Sequence, residues 1–189
     1  MKVLGINGSS RKDGNTAALI REVFGELERA GISTELVQLA DLTVEPCRAC
    51  FACAQNGSCV FRQDAFAEIF DKMVEADGIV LGSPVYSADV SARMKALLER
   101  AAVVADMRPG LFRHKAGAAV AAVRRGGGLA AVDAMHHFFL NHEMFVVGST
   151  YWNMVYGKMP GDVKNDEEGM DNMRNLGRNM AHLMLRLGS

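Results

Sequence analysis

Long apolar runs are missing from this chain of 189 residues. The most continuous, residues 116–123, spans eight positions and includes Gly117. A membrane-spanning helix needs about 20, so no span is expected. The apolar stretch at residues 3–6 stops at Asn7 and Gly8, too soon for the core of a secretory signal. An excess of one charge sign is missing as well. There are 21 Lys and Arg against 22 Asp and Glu, a formal net charge of −1, and no basic stripe of the kind a nucleic-acid binder carries. HExxH, a P-loop and GxGxxG are absent. Cysteine is limited to four residues, all between positions 47 and 59. These absences lead us to expect a cytoplasmic protein without nucleic-acid or membrane partners.

What is present suits one globular domain over residues 1–189. A chain of this size is expected to expose about 9,000 Å² and to bury roughly 70% of its unfolded surface, so no disulfide staples are needed. Residues 2–7 (KVLGIN) read as a buried strand and 15–30 as a helix, with Leu19, Ile20, Val23, Phe24 and Leu27 at helical spacing. A second strand is expected at 33–39, then a helix capped by Asp64 and a third strand at 78–82. A helix at 90–104 follows. The Ala- and Gly-rich stretch 115–123 suits either a tightly packed strand or a small-residue helix; the surrounding alternation favours strand. A helix at 129–141, a fifth strand at 145–147 and a last helix at 166–187 complete the chain. That last helix carries Met173, Leu176, Met180, Leu183, Met184 and Leu187 on one apolar face. Strand–helix alternation throughout predicts an α/β fold, a parallel sheet between two helical layers. A doubly wound 2-1-3-4-5 order would make the first, third and fourth strands neighbours, and a cysteine-rich insertion falls at about 40–63.

In such a sheet ligands bind beyond the carboxyl ends of the strands. Three loops there are unusual. The first, GSSRKDGNT, combines Ser9, Ser10, Arg11, Gly14, Asn15 and Thr16 with a helix start, where backbone N–H groups and the helix dipole favour an anion. A phosphate monoester suits this donor set; so does a plain polar loop with a cap. The second, SPVYSADV, offers Pro84, Val85, Tyr86 and Ser87; it suits a planar heterocycle, while Tyr86 could equally pack in the core. The third, RRGGG, follows Arg124 and Arg125 with Gly126, Gly127 and Gly128; the glycine backbone can approach a ligand closely, with the two arginines near an anionic ring or phosphate, or form a flexible turn with solvated charges.

The cysteines read C47-x2-C50-x2-C53-x5-C59. Two-residue spacings let a short segment wrap thiolates around one centre, and Cys59 can close it. Four thiolates suit a [4Fe–4S] cluster or zinc; free or disulfide-bonded cysteines are the other alternative. His136 and His137 are read as surface or packing residues, the methionines as core filling, and Trp152 as a pocket roof or a packing residue.

Taken together, GSSRKDGNT, the four cysteines, GIVLGSPVYSADVSARMK and RRGGG followed by HEMFVVGSTYWN resemble the iron–sulfur flavoproteins of the NADPH-dependent FMN reductase superfamily. The resemblance spans residues 1 to about 157. It implies a flavodoxin-like three-layer fold with a five-stranded sheet and FMN at the strand ends. It implies that Ser9, Arg11, Asn15 and Thr16 hold the FMN phosphate, that residues 84–87 line the isoalloxazine ring, and that Arg124, Gly126 and Gly127 flank its other side. It also implies a [4Fe–4S] cluster on Cys47, Cys50, Cys53 and Cys59, and a homodimer or homotetramer. Many relatives have two acidic residues where this chain has Gln63-Asp64, a departure read as variation of the helix cap. The implied activity is that of a flavin-dependent oxidoreductase exchanging electrons with a small molecule or a redox protein, NAD(P)H being one candidate donor. No acid–base pair stands out, so no catalytic side chain is assigned. A cluster-free NAD(P)H-dependent FMN or quinone reductase, a redox sensor or electron carrier, and a zinc-stabilised flavoprotein stay open as alternatives.

Overall fold

The computed structural model describes residues 1–188, and its strands and helices alternate as the periodicity requires. The order is β1 (Lys2–Asn7), α1 (Asn15–Arg29), β2 (Ser33–Gln38), a one-turn α2 (Cys53–Asn56) and α3 (Phe66–Glu75), then β3 (Gly78–Pro84), α4 (Ala92–Asp106), β4 (Ala116–Val123), α5 (Gly128–Asn141), β5 (Phe145–Val146), β6 (Met154–Tyr156) and α6 (Glu167–Leu187). All strand pairs are parallel, in the order β2-β1-β3-β4-β5. The exposed surface is 9022 Å², matching the scaling expectation.

Side chains alternate across the sheet, as strand geometry demands. Leu4, Ile6, Ile79, Leu81, Ala119 and Ala121 face α3, α4 and α5. Val3, Val80, Ala116, Ala118 and Val120 face α1 and α6. The ambiguous small-residue stretch is strand β4, and every residue in it is buried. Its smallness has a steric cause: a Cβ at Gly117 would lie 2.7 Å from the Phe139 ring, so α5 sits against bare backbone there. The methionines of α6 fill the second core, with Met173 and Met180 fully buried. Leu187, expected on that face, is exposed at the helix end.

Two expectations need correction. The fifth strand is not one segment: β5 pairs with Ala116 and Gly117 at the start of β4, while β6 pairs with 121–123 at its end. The chain between them leaves the sheet and returns. Asn172 of α6 holds that excursion, accepting from Thr150 Oγ1 and Tyr151 N–H and donating to the Trp152 carbonyl at 2.8 Å. Secondly, Asp64 does not cap α3 at the junction itself, which falls on Ala65. Its Oδ1 accepts from Phe66 N–H, and its Oδ2 reaches elsewhere.

The register places Asn7 opposite Gly82, and Pro84 opposite Ala122. The loops after β1, β3 and β4 therefore leave the sheet side by side at one edge.

Candidate functional site: a three-loop crevice and a thiol-lined cavity

The first loop is shaped by Ser9 and by Asn7, which no motif marks. Asn7, buried at the end of β1, accepts from Ser9 N–H through Oδ1 and donates to Gln38 at 2.6 Å. Ser9 Oγ in turn accepts from Arg11 N–H at 3.1 Å. The loop is then joined to its neighbour. Gly8 N–H donates to the Gly82 carbonyl (2.8 Å), and Ser91 Oγ donates to the Gly8 carbonyl (2.7 Å). Ser91 also caps α4 by accepting from Met94 N–H, and its own N–H donates to Ser83 Oγ (2.9 Å). Ser83 and Ser91 thus lock two crevice walls together.

Above this loop, α1 starts without a side-chain cap and without an acidic residue in its first turn. Its leading N–H groups have no intrahelical acceptors. Gly14 precedes it, packed against Arg11. Thr16, on the first turn, is 1% exposed, yet its Oγ1 has no hydrogen-bond partner. The Asn15 side chain is held by the segment before α6. Its Nδ2 donates to the Met159 carbonyl and its Oδ1 accepts from Gly161 N–H. What Asn15 leaves to the loop is its backbone N–H. Arg11 is exposed, and its guanidinium makes no ion pair with any described residue.

The second loop folds back as a tight turn: Tyr86 and Asp89 exchange both backbone hydrogen bonds (2.9 and 3.1 Å). Ser87 and Ala88 between them have φ of 50° and 66°, a conformation that side chains resist. Such outliers persist where surrounding contacts hold them, often at ligand sites. Val85 N–H donates to the Ala122 carbonyl, fixing the turn to β4. Tyr86 projects to solvent rather than into the core. The third loop abuts the second. Gly127 has φ of 85°, and a Cβ there would lie 2.7 Å from the Ala88 backbone. Gly126 is exposed with open space beside it, and Arg124 and Arg125 are exposed without ion-pair partners among the described residues. The crevice edge thus carries three uncommitted cations, an uncapped helix start and an unpartnered buried hydroxyl.

The cysteines form a second locus. All four are free thiols. Among the described residues no three His, Cys, Asp or Glu side chains are grouped as ligands of a single metal ion. Instead Cys47, Cys50, Cys53 and Cys59 together line one cavity of about 290 Å³, walled by Phe51, Phe61, Val103 and Val104. That is roughly twice the ~150 Å³ that accommodates benzene in an engineered core. Between the cysteines, Ala49 and Phe51 adopt φ of 49° and 53°, bending the segment back around Cys50. Burial pushes the Cys53 thiol up; its own backbone N–H opposes this, and the adjacent Cys47, Cys50 and Cys59 add to the rise. Arg100 of α4, 2% exposed, reaches Cys59 Sγ with Nε at 3.2 Å. The sequence offered one signal for it, a charged residue on the apolar Leu97–Ala101–Val104 face of α4. His136 is half-buried and His137 exposed; Trp152 is exposed beside Tyr151. None of these three lines the thiol cavity; Trp152 lines a separate pocket with Tyr151, Met154 and Tyr156.

Strand order, loop placement and the crevice define a flavodoxin-like protein. Residues 1–158 match the NADPH-dependent FMN reductase family, and the chain belongs to that family. It is therefore an FMN reductase-like flavoprotein, of a class of flavin-dependent oxidoreductases. It is 44% identical to an iron–sulfur flavoprotein of Methanocaldococcus jannaschii, over 97% of both chains. It is 36% identical to the iron–sulfur flavoprotein of Methanosarcina thermophila, over 78% of each. Among solved structures, an NAD(P)H:quinone oxidoreductase of Methanothermobacter marburgensis superposes with a TM-score of 0.70 at 14% identity, covering 95% of this chain and 98% of that one. That likeness concerns the fold. Among the described residues no helix is long and apolar enough to cross a membrane.

Proposed function

We propose that this protein is an FMN-dependent oxidoreductase that also carries a [4Fe–4S] cluster on Cys47, Cys50, Cys53 and Cys59. The observation that carries the cluster is the shared cavity: four thiols from one short segment face a space larger than a single ion needs. Four thiolates are the ligand set such clusters take, and the names of the two relatives above agree. Val103, Val104 and Phe61 give that space an apolar wall, and Cys53 is the thiol it buries.

For FMN, the donor set supports the phosphate at the α1 start. Thr16 Oγ1, the first-turn N–H groups and Arg11 suit its dianion. Residues 84–87 would line one side of the ring, with Arg124, Gly126 and Gly127 on the other. When bound, FMN supplies transfer of one or two electrons; the chain's part is to hold it and to exclude water. A second reading, a cluster-free NAD(P)H-dependent reductase, draws on the family's description.

The test is anaerobic purification followed by FMN, iron, acid-labile sulfide and zinc determination on one sample. FMN with about four irons and four sulfides per chain is the expected result. FMN without iron or sulfide would establish the second reading, with zinc content deciding whether the thiols hold that ion. Cys53→Ser is expected to lose iron and keep FMN. Full iron retention in that variant would remove Cys53 from the ligand set.

A further inference from the structure

The segment from residue 42 to 65 has one turn of helix and no strand. Something other than backbone ladders must hold it. Cys47 N–H donates to Glu99 Oε1 of α4 at 3.1 Å, but four of the segment's attachments converge on one side chain of that helix, Arg100. Nη1 donates to Asp64 Oδ2 (2.6 Å) and to the Glu45 carbonyl (3.3 Å). Nη2 donates to the Phe61 carbonyl (2.5 Å), and Nε donates to Cys59 Sγ (3.2 Å). Every one of these partners lies within the cysteine segment. The guanidinium also lies over the Phe66 ring, 4.1 Å from its centroid. The Arg100 and Asp64 side chains are 3% and 2% exposed.

We infer that Arg100 is a positioning residue for the cysteine site: it fixes Cys59 as the fourth ligand and raises the reduction potential of the group the thiols hold. This rests on the cluster reading above. The N–H···S contact comes from a charged donor, so it is stronger than a neutral one. Adding an electron makes the site more negative, and a fixed donor on a ligand sulfur stabilises that state more than the oxidised one. Hydrogen bonds to sulfur, net charge and solvent exposure are the levers that set such potentials. Asp64 balances the charge of Arg100, so the contact with Cys59 can be removed without changing the net charge of the pair.

Two variants do this. Arg100→Lys keeps the cation but loses the planar fork. The double variant Arg100→Met with Asp64→Asn removes both charges and the donor, leaving no buried ion unpaired. Each would be purified anaerobically beside the unaltered protein. Iron, sulfide and FMN would be determined, and the midpoint potential of the cluster measured by dithionite titration followed by electron paramagnetic resonance. Both variants are expected to shift to more negative potential, by at least tenfold in the one-electron equilibrium constant, which is 59 mV. Loss of iron with FMN and native circular dichroism retained would equally support the inference, because Cys59 then depends on Arg100. Clusters that stay fully loaded at unchanged potential would overturn it and reduce Arg100 to a structural ion-pair partner. An unaltered protein that contains no iron or sulfide would instead overturn the cluster reading, and this inference with it.

Discussion

Thr16 carries a polar atom that the fold leaves without a partner, at a cost of about 1–3 kcal/mol for a buried donor. A ligand oxygen bound at the α1 start would remove that cost. Thr16→Val is therefore expected to have opposite effects on the two states. Ligand-free protein should unfold at equal or higher urea concentration, while FMN affinity falls about 10- to 100-fold, the range for a hydrogen bond to a charged acceptor. Parallel urea unfolding and fluorescence titration would measure both; equal destabilisation with unchanged affinity would place the hydroxyl in packing alone. Arg11→Ala, on an exposed side chain, should weaken FMN with no loss of stability, and the weakening should diminish in high salt. Asp64 differs in kind. Burial raises its carboxyl, but N–H donation from Glu45 and Phe66 and the Arg100 guanidinium outweigh this and hold it below the ordinary range. The depressed value means its stabilisation is present above the unfolded-state pKa and is lost as pH falls through the folded one. Asp64→Asn strands the Arg100 charge and should cost about 3–5 kcal/mol at pH 7. The gap from the unaltered protein should narrow below about pH 4, as denaturant midpoints across pH would reveal.

Among the elements, β4 is the one whose composition answers directly to its neighbours. Gly117 meets Phe139 of α5, so Gly117→Val must displace a ring in a packed layer. Overpacking of this kind costs about 1–3 kcal/mol; a unchanged urea midpoint would mean α5 can withdraw freely. Most elements were legible because their apolar periods are long: α1, α6 and the buried runs of β1 and β3 follow from spacing. The split fifth strand was not. Its pieces are two and three residues long, too short to show a period, and what separates them is held by Asn172, far away in the chain. The crevice loops were legible as unusual loops, but the serines that join them were not. Ser83 and Ser91 act through backbone partners, Ser83 Oγ accepting from an N–H and Ser91 Oγ donating to a carbonyl, and backbone partners leave no trace in side-chain patterns. Arg100 left a trace in its place on an apolar face, but its partners did not: those in Glu45, Phe61 and Phe66 are carbonyls or a ring face.

At the scale of the molecule, α4 joins the two loci. Ser91 caps it at the crevice, while Arg100, Val103 and Val104 wall the thiol cavity. At 1.5 Å per residue the cavity wall lies roughly 14–20 Å along the helix from its cap. The crevice loops meet through Gly8, Gly82, Ser83 and Ser91, so a ligand spanning them should stabilise the start of α4 as well as its own contacts. FMN at 100 times its dissociation constant adds about 2.7 kcal/mol to the folded state. For a chain of this size that corresponds to a rise in Tm of roughly 5–11 °C. Hydrogen exchange should slow on FMN addition at the first turns of α1 and α4, and stay unchanged in β2 at the far edge of the sheet. Protection confined to α1 would mean that the loops bind the ligand separately and that the Ser91 contacts transmit nothing between them.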